Sequence, residues 1–226
     1  MSTYGEIVYM VLDEIKGKSD DFTYTEDHVL YLIDKTRAFL LKQRYSDIKK
    51  QIPDINYQTI CVDTRESTIP DCVLYDGADY LRTTEKIPDI MLIATPRVFT
   101  TDYYQGEITY ISRDRMRYVG YNKYLKNIVY CSIHPDKYLY FKSYNTAVSD
   151  IEKIQFTAIF QSSLAALKLQ CGESTEVMQA EFPMEESLIQ PLVELVVKEL
   201  LNATYRPADN NNNSKDDLSE VTVKSR

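Results

Sequence analysis

The sequence predicts an α+β fold: a helical bundle of two N-terminal helices plus a long C-terminal helix, with an inserted antiparallel β region and a flexible C-terminal arm. Three observations predict it. Apolar residues recur at helical spacing near both ends of the 226-residue chain. Alternating segments rich in β-branched and aromatic residues fill the middle. Residues 206–226 are too polar to bury much surface. The reading is a single domain over 1–205, with helices at about 3–16, 25–45 and 184–204 and a β-rich insertion at about 55–160. Residues 206–226 form the arm.

The first helix opens at Thr3-x-x-Glu6, the spacing of a capping box. Tyr4, Ile7, Val8, Val11, Leu12 and Ile15 then fall on one helical face, and Lys16-Gly17 supplies a stop. The second helix opens at Thr25, where Glu26 and Asp27 suit the positive end of the helix dipole. Val29, Leu32, Ile33, Phe39 and Leu40 form its expected buried stripe. Lys35, Arg37, Lys42 and Arg44 occupy the remaining surface. Lys35 and Lys42 are seven residues apart, as are Arg37 and Arg44, so each pair shares a face. That face is either a solvated basic surface or a contact to an acidic neighbour or to passing DNA.

The character changes after Pro53. Asn56 to Val62 reads as a strand, Ile69-Pro70-Asp71 as a turn, Thr83 to Asp89 as a loop and Ile90 to Ala94 as a short apolar segment. Glu107 to Ser112 and Met116 to Val119 read as strands. Asn127 to Ile133 and Tyr138 to Ser143 flank His134-Pro135-Asp136-Lys137, in which proline followed by aspartate suits a type I turn. Ile151 to Phe160 is a further strand, and Ser162 to Leu169 a short helix. The last helix starts at Pro183, with Glu185 and Glu186 in its first turn. Pro191, beyond that turn, implies a kink or a later start.

The formal charge is −8, and a general nucleic-acid binder would carry a basic excess. The opening residues hold no signal-peptide pattern, no stretch approaches the length of a membrane span, and no membrane partner is expected. The chain has 19 tyrosines and no tryptophan. Tyrosine couples a large apolar area to a polar tip, which suits contact surfaces and half-exposed sheets alike. Cys61, Cys72, Cys131 and Cys171 form no C-x-x-C pair and are expected as free thiols, although a Cys61–Cys72 bridge is possible.

No phosphate-binding loop, dinucleotide fingerprint or nucleophile elbow occurs, and no cofactor is implied. His134-Pro135-Asp136 matches a co-chaperone tripeptide but sits between strands, so it reads as a turn. No catalytic constellation emerges, and the expectation is a protein that is not an enzyme. Two other readings remain: a small cytoplasmic adaptor that binds protein through its sheet, and a scattered carboxylate metal enzyme.

Several segments, in order and spacing, carry a resemblance. They are Ile7 to Glu14, Thr36-Arg37-Ala38-Phe39-Leu40-Leu41, Leu81 to Pro88 and Pro135 to Tyr140. Phe182-Pro183-Met184-Glu185-Glu186 and the tail, from Arg206-Pro207 to Asp216-Asp217-Leu218-Ser219, complete the set. On these the chain resembles the head–tail connector (ring or adaptor) proteins of tailed bacteriophages, within the crAss-like podovirus group. The resemblance implies a structural virion protein assembled in the host cytoplasm. It implies a twelve-fold homo-oligomeric ring docked to the portal protein or to other connector or tail proteins. Double-stranded DNA would pass through that ring without specific binding, and the net charge of −8 separately suggests an acidic lining to which DNA would not stick. The resemblance also implies a C-terminal segment lodged in a neighbour. In this segment Leu218, Val221 and Val223 are the apolar anchors, Arg206, Asp216 and Asp217 are charged interface candidates, and Asn210–Asn213 is a hinge.

Overall fold

The computed structural model describes residues 2–17, 24–47, 51–67, 80–100, 107–119, 123–125, 128–143, 151–172 and 176–203. Its dominant unit is a seven-stranded sheet with the order β3-β7-β1-β2-β6-β5-β4. The strands are β1 (Gln58–Ser67), β2 (Tyr80–Thr83), β3 (Arg97–Thr100), β4 (Glu107–Tyr110), β5 (Ile128–Ile133), β6 (Leu139–Lys142) and β7 (Lys153–Ala158). The two ends of that order, β3 and β4, come together, so the sheet curls into a nearly closed barrel. This overturns the expected helical bundle with an inserted β region: the nearly closed seven-stranded sheet is the body of the fold, and the few helices are arranged around it.

The physical reason is that sequence-local patterns hid the sheet. Four of the seven strands are only four residues long. Most pairings join residues far apart in the chain, as in β1 with β7 and β3 with β7. β1 binds the sheet together, since Gln58 to Asp63 pair with β7 while Thr64 to Ser67 pair with β2. One pair, β4–β5, is parallel, so the β region is not wholly antiparallel. Met116 to Val119 is not a strand. Met116 closes the short helix α3 (Arg113–Met116) and packs against Tyr140 on the outer face of the sheet.

The hairpin between β5 and β6 forms at its expected place, with Ile133 opposite Leu139. The Lys137 amide donates to the His134 carbonyl at 2.9 Å, and the His134 amide donates to Tyr138 at 3.1 Å. Lys137 has φ 68°, the left-handed residue that follows a type I turn and lets the strands keep their twist.

Inside the barrel, Ile60, Val62, Val129, Cys131, Leu139, Phe141, Ile154 and Phe156 form one core. β6 is buried on both faces: Leu139 and Phe141 face the barrel core, while Tyr140 meets Met116 of α3 outside it. A second core belongs to the helices α1 (Tyr4–Lys16), α2 (Glu26–Arg44) and α5 (Ile189–Ala203). α1 has the capping box: Thr3 Oγ1 accepts from the Glu6 amide and Glu6 Oε2 from the Thr3 amide. Its first turn lies so close to the chain at Met178 that a Cβ on Gly5 would stand 2.8 Å from the Met178 carbonyl oxygen.

α5 starts at Ile189, after a 3-10 turn over Glu186–Leu188, not at Pro183. Pro191 therefore falls in the first turn, where its missing N–H has no intrahelical acceptor to lose. The short helix α4 (Ser163–Leu167) leads to Cys171, which is disulfide-bonded to Cys61 with Cα atoms 4.9 Å apart. This corrects the expectation of free thiols. Neither spacing nor motif marks a pair separated by 110 residues. Cys131 is a free thiol sealed in the barrel core, and burial pushes it far above the usual thiol range. Cys72 lies outside the described residues.

Candidate assembly surfaces

α2 connects the two cores and carries different chemistry on its two sides. Ile33, Arg37 and Leu41 follow one another at i+4, so Arg37 lies in the apolar stripe and is fully buried. Its guanidinium donates to three backbone carbonyls: Nε to Pro183 at 2.9 Å, Nη1 to Phe160 at 3.0 Å and Nη2 to Asn56 at 3.3 Å. These carbonyls come from the approach to α5, the end of β7 and the approach to β1. One side chain thus ties the helical layer to the barrel at three points.

Asp34, one turn earlier, accepts from the Ser162 hydroxyl at 2.7 Å and from the Ser163 amide at 2.7 Å, and its second contact to Ser163 is the hydroxyl. Tyr4 of α1 donates to that hydroxyl at 2.6 Å. Burial pulls the Arg37 pKa below its ordinary value, against the favourable fields of Tyr4 and Asp34. Burial likewise pushes the Tyr4 phenol up to about 12, opposed by its hydrogen bond to Ser163. Such a network is costly to break, because each lost partner leaves a dry polar group unpaired.

Arg37 is therefore not part of a basic contact face. Lys35, Lys42 and Arg44 remain exposed. The Arg44 Nε lies 3.7 Å from Glu185 at a partly exposed site. Phe39, expected in the buried stripe, is 59% exposed. The helical register explains both corrections. Tyr31, Lys35, Phe39 and Lys42 lie at i, i+4, i+8 and i+11 on the outer row, and Arg37 takes the inward place assigned to Phe39.

This outer row alternates aromatic and basic residues. Beside it lies a hollow walled by Lys35, Phe39 and Lys42 on one side and by Ile90, Met91 and Ile93 on the other. The Met91 amide donates to Ile159 at 2.8 Å and the Gln161 amide donates to Asp89 at 2.7 Å, which fixes that wall to the end of β7. Leu92 projects from it, 79% exposed. A second hollow continues along α2 past Leu30 and Tyr31 toward Met178. Tyr31, Phe39 and Leu92 together leave a large apolar area in water, the composition of a protein-contact patch.

No catalytic arrangement accompanies these surfaces among the described residues. The Ser132 hydroxyl lies 3.2 Å from His134 Nε2, but both residues are buried. The Asp136 carboxylate accepts instead from Tyr140 at 2.6 Å and from the Tyr138 amide. Among the described residues, no group of three or more His, Cys, Asp or Glu is placed to hold a metal ion, and no helix is long and apolar enough to cross a membrane. Leu218, Val221, Val223, Arg206, Asp216 and Asp217 lie outside the described residues, as do Asn210–Asn213.

Comparison with known proteins adds two findings. Residues 6–218 match the family model described as phage tail ring protein 2. The chain is also similar to a curated protein named Ring protein 2 from Bacteroides phage crAss001. The two are 55% identical over 223 residues, covering 97% of this chain and 99% of the relative.

Proposed function

The chain belongs to the phage tail ring protein 2 family, and on that premise we propose that it is a structural virion subunit that closes into a ring of about twelve copies in the head–tail connector. Copies join side by side through unlike surfaces, the arrangement that closes on rotation. The ring docks onto the portal or a neighbouring ring and extends the channel for double-stranded DNA. The observation that carries this reading is the α2 row: Tyr31 and Phe39, with Leu92 across the hollow, are exposed apolar groups on hydrogen-bonded scaffolding. A preorganised patch of this kind loses little entropy on association. Residues 206–226 extend the contact, with Leu218, Val221 and Val223 as the groups that enter a neighbour.

Negative-stain imaging and light-scattering mass of the purified chain, alone and with a portal protein, test the ring. Rings in either sample are expected, and a monomer in both removes the proposal. Phe39→Ser combined with Leu92→Ser should reduce ring formation at least tenfold while leaving the thermal midpoint within a few degrees, because neither side chain is in a core. Truncation after Tyr205 should change stability by no more than about 1 kcal/mol and weaken docking. Docking that survives truncation intact would show that the tail holds no neighbour.

A further inference from the structure

A concentration of positive charge lies around Met116, on the side of the sheet away from the barrel core. The stretch from Arg113 to Lys126 contains five basic residues and one acid, in a chain whose formal charge is −8. Arg113, Arg115, Arg117 and Lys123 are all exposed, and so are Tyr118 and Tyr124, at 77% and 82%.

The backbone beneath these side chains is held in place. Met116 is buried against Tyr140 on the outer face of β6, and its carbonyl accepts from Lys142 at 3.4 Å. The Arg115 amide donates to Ser112 and the Tyr118 amide to Arg115, each at 3.0 Å. Met116 thus holds α3 against the sheet, while Arg113, Arg115 and Arg117 are exposed. The Lys123 ammonium lies 5.1 Å from the ring centroid of Tyr124, so this part of the surface also groups cation with aromatic.

Arg113, Arg115 and Arg117 present three exposed cations within five residues, a spacing that suits a partner with several closely spaced negative charges.

We infer that the surface carrying Arg113, Arg115, Arg117 and Tyr118, with Lys123 and Tyr124, contacts the phosphates of double-stranded DNA. Arginine and lysine pair with the backbone phosphates, and Tyr118 and Tyr124 add hydroxyl donors to the same phosphates. Contacts of this kind read no sequence and slide readily, as a duplex moving through a ring requires. The inference rests on the ring reading above and replaces a uniformly acidic channel lining with one basic contact band.

The test is fluorescence anisotropy of a labelled 30-base-pair duplex titrated with the full-length protein between about 50 and 200 mM salt. The oligomeric mass is measured in the same buffers. The wild type should bind at the low-salt end. The triple substitution R113Q/R115Q/R117Q should weaken binding at least tenfold and lower the log–log salt slope by about 2 to 3. R113K/R115K/R117K should retain most of the affinity, and K16Q/K198Q, at exposed positions of α1 and α5, should retain all of it. Equal binding by the wild type and the glutamine triple would overturn the assignment, as would a wild type that binds no duplex at 50 mM salt. A glutamine triple that loses ring mass would point to an acidic protein partner and would also overturn it. A wild type that stays monomeric yet binds duplex through these arginines would remove the ring reading and leave the DNA contact standing.

Discussion

Arginine occupies two opposite environments in this protein. On the inner face of α2, Arg37 is fully buried and each of its three donor groups meets a backbone carbonyl. Along α3 and the turn after it, Arg113, Arg115 and Arg117 stand in water around one buried methionine. The buried guanidinium is a fixed joint. It has given up its hydration, and the carbonyls of Pro183, Phe160 and Asn56, with the favourable fields of Asp34 and Tyr4, compensate it. The exposed ones keep contact with water and contribute little to folding. Charge alone therefore does not mark a contact surface, and what surrounds the backbone decides whether a cation builds the fold or reaches beyond it.

The strongest way to break this contrast is Arg37→Ala. It should cost about 3–5 kcal/mol in urea unfolding, because it strands three buried carbonyls and opens a cavity where helices meet barrel. A loss below about 1 kcal/mol would mean that the joint is dispensable.

The pH dependence of the same network gives a smaller effect. The Tyr4 phenol titrates near 12 in the folded chain against about 10 when unfolded. The folded state thus binds this proton more tightly, and its contribution is complete below about pH 10. It is lost as pH rises toward 12, by about 3 kcal/mol. Unfolding curves of the wild type and Tyr4→Phe should converge over that range, and parallel curves would remove Tyr4 from the account.

The smallest expected change sharpens the other side of the comparison. Arg115→Gln should move stability by no more than about 0.5 kcal/mol while lowering the salt slope of duplex binding. A stability loss approaching that of Arg37→Ala would erase the distinction.

Much of the helical layer was legible in the residues. Thr3-x-x-Glu6 forms its capping box, and the apolar row from Tyr4 to Ile15 is buried, because both signals act within a few residues of themselves. The β5–β6 hairpin was legible for the same reason, through Pro135-Asp136. Arg37 could have been placed from register alone, since it shares the i±4 row of Ile33 and Leu41. Its charge, and the seven-residue spacing to Arg44, pointed the other way. The exposed cations around Met116 were hidden by reading Met116 to Val119 as a strand.

The sequence by itself determined where α1 and α2 begin, the tight turn of one hairpin, the polar character of the final 21 residues and membership of a phage ring family. Local hydrogen-bonding geometry and side-chain periodicity are sufficient for the first two. Only the tertiary structure decided that the sheet dominates, that β3 meets β4 to nearly close it, that Cys61 joins Cys171, and that Arg37 turns inward. Each of these depends on contacts between residues distant in the chain. Strands of four residues carry too little periodicity to name their partners, and burial of a cation becomes tolerable only once three remote carbonyls have converged on it.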